Sequence, residues 1–141
     1  MKLITYRKHA ADAGHLGAIL NEQVIDLEAF GDAIGEPLPG NMQDFIDLGP
    51  SAITETSEML AEMEGRWPLG TSTPFENVRL LAPIPRTRKN IFGIGLNYVE
   101  HIAESAAALD TSADLPKQPV VFTKPATAII GTGEAIQHNA A

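Results

Sequence analysis

Lys2–Arg7 alternates polar and apolar residues with the period of two that marks a half-buried strand. His15–Leu20 and Val24–Leu27 are two further β-type runs, and Asn21-Glu22-Gln23 between them has the composition of a hairpin turn. The spacing of Leu27, Phe30 and Ile34 then predicts a short helix, ended by Pro37 and by Pro39-Gly40. Met42–Leu48 predicts another brief helix, stopped at Gly49-Pro50. Ser51 reads as the N-cap of a longer helix to Glu64, with Ile53, Leu60 and Met63 among its apolar positions and Gly65 as its stop. Residues 66–77, with Trp67, Pro68 and Pro74, read as loop. Trp67 itself reads as a packing residue.

Each proline in Leu80-Leu81-Ala82-Pro83-Ile84-Pro85 drives the residue before it out of the helical region, so this stretch is extended and joins two units. Beyond it, Lys89–Gly93 predicts a short strand and Asn97–Leu109 a helix, with polar loop over 110–119. Val120-Val121-Phe122 predicts a buried strand ending at Lys124-Pro125. Ile129-Ile130, a Gly131-Thr132-Gly133 turn and Ala135–Gln137 predict a closing hairpin. The organisation expected is a small α+β domain over 1–80, a linker over 81–88, and the beginning of a β-rich domain over 89–141.

Composition narrows the function classes. Eighteen acidic and ten basic residues give a net charge of −8, a surface that repels phosphate backbones, so nucleic acid is not an expected partner. The basic cluster Arg86-Thr87-Arg88-Lys89 reads as solvated linker. No apolar run reaches the roughly 18 residues of a bilayer span, so no membrane partner is expected. The first residues lack a signal-peptide pattern, and a chain without cysteine fits a cytoplasmic address.

Chemistry concentrates in Ile91–Glu104. A strand running through Gly93 and Gly95 into a helix invites a dinucleotide reading, but the sixth position of that fingerprint holds Tyr98 where close packing needs glycine. His101 and Glu104 stand three residues apart on the predicted helix, hence on one face. A carboxylate beside an imidazole fixes its tautomer and raises its basicity, leaving the second nitrogen to take a proton. Two glycines and Asn97-Tyr98 precede the pair, a setting suited to a mobile element over a pocket. His9 and His15 have no acidic partner at helical spacing and read as surface residues, and His138 lies near the chain end.

Three ordered blocks carry a resemblance. Lys89–Tyr98 followed by His101 and Glu104, then Pro119–Pro125, then Ile130–Ile136, resemble the opening of the fumarylacetoacetate hydrolase catalytic domain, and Arg79–Pro85 is similar to its usual lead-in. Residues 1–80 look like the accessory domain of many bacterial members. The resemblance implies an α+β fold whose second part begins a mixed β-roll. It implies a hydrolase cleaving a C–C bond in acylpyruvate-like or 2,4-diketo acids, with related decarboxylases, isomerases and hydratases, or a non-catalytic truncated binding module, as alternatives.

The resemblance also assigns roles. A magnesium or manganese ion would chelate the 2-oxo-carboxylate end of the substrate and stabilise the enolate. His101 and Glu104 would generate the attacking hydroxide, Lys124 would steady a developing oxyanion, and Asn97 and Tyr98 would shape the base of the lid. The partner implied is a small 2-oxo or diketo acid, with a homodimer as the assembly. The family's metal ligands, a Glu-x-Glu pair and a later acid, fall downstream of the last matched block. Glu134 is the only acid after Asp114 and is not one of them. Residues 1–141 are therefore expected to supply no metal ligand and to turn over no acylpyruvate by themselves.

Overall fold

The computed structural model describes residues 1–109 and 116–138. The chain forms two compact units, one of Met1–Pro85 with the stretch from Ile130 onward, the other of Arg86–Ile129. The fold is mixed α and β in both.

The first unit is built on an antiparallel sheet. β1 (Lys2–Arg7), β2 (His15–Leu20) and β3 (Gln23–Asp26) form a meander, with β4 (Ser72–Pro74) added beside β3 and β5 (Arg79–Leu80) beside β1. The strand order is β4-β3-β2-β1-β5. β2 and β3 are joined by Asn21 and Glu22 alone, at φ 44° and 62°, because the right-handed twist of a two-residue hairpin demands a turn with both central residues left-handed. Gln23 belongs to β3, paired with Leu20, and not to the turn as its composition suggests.

β4 lies inside the segment expected to be loop. Its three residues carry no alternation of their own, and they are extended because β3 offers them an open edge, with Val24 opposite Thr73. Pro74 is tolerated there because an edge strand needs no inward donor at every position.

Three helices cover the sheet. α1 (Leu27–Ile34) starts at Asp26, whose Oδ1 accepts a hydrogen bond from the Ala29 amide at 3.1 Å, and ends at Gly35 with φ 81°. α2 (Met42–Asp47) is capped by Asn41, whose Oδ1 accepts from the Asp44 amide. α3 (Ser51–Glu62) differs from expectation at its start. Pro50 occupies the cap position, with no side-chain bond, and Ser51 is already helical. Leu16, Ala18, Ile25, Leu27, Phe30, Phe45, Ala52 and Leu60 form the core between sheet and helices. Each of the large ones contributes roughly 2 kcal/mol through burial. Trp67 packs edge-on against Phe30, with centroids 6.1 Å apart.

The predicted hairpin over Ile129–Gln137 does not form as strands. A turn replaces it: the Glu134 amide donates to the Gly131 carbonyl, and Glu134 Oε2 accepts from the Gly131 amide at 2.7 Å. Gly131 is required there, since a Cβ would stand 2.8 Å from the Ala82 nitrogen. Isoleucines and glycines suit a hairpin locally, but this close approach to the backbone at Leu81-Ala82 fixes the segment differently.

The second unit holds β6 (Ile91–Gly95) and β7 (Val120–Lys124), paired antiparallel, and α4 (Val99–Leu109). The strand expected to be buried at Val120-Val121-Phe122 is present but exposed along its whole length. A two-stranded ribbon has few neighbours, and burial depends on what covers a strand as much as on its own sequence. Residues 110–115 of the expected polar loop lie outside the described part.

Candidate functional site

The candidate site lies in the second unit, where β6 passes into α4. Gly93 and Gly95 close the strand, and Leu96 follows at φ 54°, a left-handed conformation that costs a residue with a Cβ roughly 1–2 kcal/mol. Asn97 stabilises this turn: its side-chain amide donates to the Ile94 carbonyl at 3.1 Å. Tyr98 accepts the first backbone bond of α4, from Ile102, and leaves its ring 72% exposed. The ring therefore does not pack between helix and strand. Antiparallel pairing of β6 with β7 also lacks the parallel crossover that a dinucleotide fingerprint needs.

α4 is anchored by Ile102 and Ala106, both buried and four residues apart. His101 and Glu104 are exposed on the side away from them, separated by about 60° around the helix axis. They thus share a face, as their spacing predicts, but no hydrogen bond joins them among the described residues.

Lys124 ends β7 with its Nζ 5.8 Å from the centroid of the Phe122 ring. A shallow hollow of about 300 Å³ is lined by Ile94, Leu96, Asn97, Lys117 and Gln118 among others. Of the five residues singled out from sequence, Asn97 alone borders it among the described residues. Lys117 is a cation there that the sequence reading passed over, since nothing in its local pattern marks it. Among the described residues, no group of three or more His, Cys, Asp or Glu side chains is placed to hold a metal ion.

A second polar cluster lies in the first unit. Tyr6, fully buried, donates from its hydroxyl to Asp26 Oδ2 at 2.8 Å, and His15 Nδ1 stands 3.6 Å from the same oxygen. Burial, and secondly the bond to Asp26, push the Tyr6 phenol well above the ordinary tyrosine range. His15 is thus not the unpartnered surface residue expected. Its acid comes from a neighbouring strand, since Tyr6 pairs with His15 and Gly17 with Asp26. Helical spacing cannot reveal such a partner. The signal available was polar residues recurring on one face of adjacent strands.

With this geometry in place, the relationship to known proteins is clear. Residues 90–141 match the family model described as fumarylacetoacetate (FAA) hydrolase, C-terminal, and the chain belongs to the fumarylacetoacetate hydrolase family. Among curated relatives it is similar to the mitochondrial oxaloacetate tautomerase fahd2 of Xenopus laevis, 30% identical over 97% of this chain and 38% of that protein. It is similar also to the oxaloacetate tautomerase YisK of Bacillus subtilis, 31% identical over 86% of this chain and 41% of that protein. The crystal structure of an HpcE-type protein from Mycobacterium smegmatis shares the fold, with a TM-score of 0.60 and 24% identity over 99% of this chain and 41% of that one. The chain thus spans about 40% of the length of these relatives.

Proposed function

We propose that the protein acts on a small 2-oxo acid and interconverts its keto and enol forms, with oxaloacetate as the substrate class. The observation that carries this reading is the match of nearly the whole chain to proteins named oxaloacetate tautomerases. An exposed His–Glu pair on one helix face supports it. Tautomerisation removes a proton from the carbon beside the ketone and places one on the ketone oxygen, so that an O–H bond replaces a C–H bond, with no carbon–carbon bond broken and no water consumed. His101 takes the carbon proton and delivers it to the enolate oxygen, Glu104 balances the charge that the imidazole gains, and a cation such as Lys124 steadies that oxygen until the proton arrives.

C–C hydrolysis is the second reading, favoured by the family model's own description. There His101 would deprotonate a water that attacks the carbonyl carbon, and the bond to the departing enolate would break. Magnesium or manganese would suit either reaction by chelating the 2-oxo-carboxylate. The described residues do not fit such an ion, so no step here runs through it.

The test follows enol oxaloacetate by its ultraviolet absorbance and, in parallel, cleavage of an acylpyruvate. Accelerated ketonisation that falls about 10²-fold or more in His101→Ala is expected, the usual scale for a lost general base. Acylpyruvate cleavage without tautomerisation would select the hydrolytic reading. Full tautomerase activity in His101→Ala would remove the residue from the mechanism.

A further inference from the structure

We infer that Phe122 is a positioning residue that holds the Lys124 ammonium in place, and that Gly93 is the clearance which lets its ring do so. This rests on the reading of Lys124 as the cation that meets the substrate's carboxylate or enolate.

Gly93 pairs directly with Phe122, and Ile91 with Lys124, so all four residues belong to one face of the β6–β7 ribbon. On that face Gly93 and Gly95 present no side chains. The Phe122 ring lies down over the first of them: a Cβ on Gly93 would contact Phe122 Cζ and come within 2.8 Å of both ring Cε atoms. A Cβ on Gly95 would be 3.7 Å from the same ring, an ordinary contact. Gly93 is therefore the position whose lack of a side chain the ring needs. Lys124 comes two residues further along β7, and its Nζ sits 5.8 Å from the ring centroid, inside the range where the negative face of an aromatic ring attracts a cation.

The choice of partner matters. No carboxylate lies within ion-pair distance of Lys124 among the described residues. A carboxylate would hold the ammonium equally well but would neutralise it and compete with an anionic ligand. An aromatic face limits the side chain's excursions while leaving its charge, and its N–H donors, for that ligand. The four-carbon stem of lysine is otherwise free to sweep through solvent, and ordering it only on binding lowers affinity. The glycine, the ring and the amine thus form one device: a flat place on the strand, a ring laid on it, and a cation steadied by the ring.

The experiment is nuclear magnetic resonance of the 141-residue chain, reading the Lys124 Hε and Cε signals. Oxalate is titrated as a stable analogue of the planar 2-oxo-carboxylate end. In the wild type the Hε signal should be displaced upfield by the ring current relative to Lys89 and Lys117. Phe122→Leu should return it to their position, and Phe122→Tyr should restore the displacement. Gly93→Ala should also release Lys124 with the ring still present, which guards against a fold defect peculiar to the leucine variant. Oxalate should bind about two- to fivefold more weakly wherever the displacement is lost. A displacement that survives in both Phe122→Leu and Gly93→Ala would overturn the inference. So would its loss with oxalate affinity unchanged. If the displacement behaves as expected but oxalate perturbs Lys124 in no variant, wild type included, the substrate role of Lys124 falls while the ring's hold on it stands.

Discussion

Asp26 carries several duties on one carboxylate. Its Oδ1 caps α1, its Oδ2 accepts the Tyr6 hydroxyl, and His15 approaches that same oxygen. Tyr6→Phe keeps the ring's packing and removes one donor from a buried carboxylate, so urea unfolding should show a loss of about 1.5–3 kcal/mol. The pH dependence follows from the raised phenol. An unfolded tyrosine ionises near pH 10.0, whereas the folded one holds its proton to higher pH. Above that value the unfolded chain binds fewer protons than the native one, and native stability falls as pH rises. Thermal melts of the wild type should decline above about pH 10 more steeply than those of Tyr6→Phe, relative to their neutral values. Parallel decline in both would show that Tyr6 is not the group responsible. That His101 and Glu104 share a helix face was legible from sequence because a helix makes neighbours of residues three apart. The acid beside His15 was not, because strand pairing makes neighbours of residues eleven apart, and only the register says which.

At the level of elements, the long periodic segments were readable and the borrowed ones were not. β1 alternates, β2 is a continuous β-type run, and the spacing in α1 announces a helix. β4 has no pattern because its extended form is induced by β3, and β7 looks buried in sequence because valine and phenylalanine report preference, not surroundings. The β2–β3 turn offers a test of the local chemistry that was readable. Glu22 sits at φ 62° with no need of its side chain in the turn, and its carbonyl still accepts from the Phe75 amide. Glu22→Gly relieves the left-handed strain while adding freedom to the unfolded chain. A net gain of roughly 0.5–1 kcal/mol in denaturant unfolding is expected. A loss of stability would mean that the Glu22 side chain supports the hairpin in a way its backbone angle does not reveal.

Across the molecule, apolar burial is divided unevenly between the two units. The first has a continuous core with Tyr6, Leu16, Ile25, Leu27 and Phe30 fully buried, while the ribbon of the second leaves Phe92 67% and Val121 57% exposed. Local opening is easiest where few apolar contacts close over the backbone. Amide hydrogen exchange in the 141-residue chain should therefore be slowest in β1–β3 and far faster in β6 and β7. Equal protection in both would show that something covers the ribbon in solution.

The wiring of the first sheet has a consequence for the chain's synthesis. One edge of β1 is taken at once by β2, which follows within a few residues, but its other edge waits for β5, paired through Tyr6 with Leu80 and Arg7 with Arg79. At ribosomal speed that edge stays open for roughly 4–15 s after β1 is made. An open edge invites strands from other nascent chains, and charge at its ends discourages them. Lys2 and Arg7, at either end of β1, stand where a chain still being made is most exposed to the wrong neighbour.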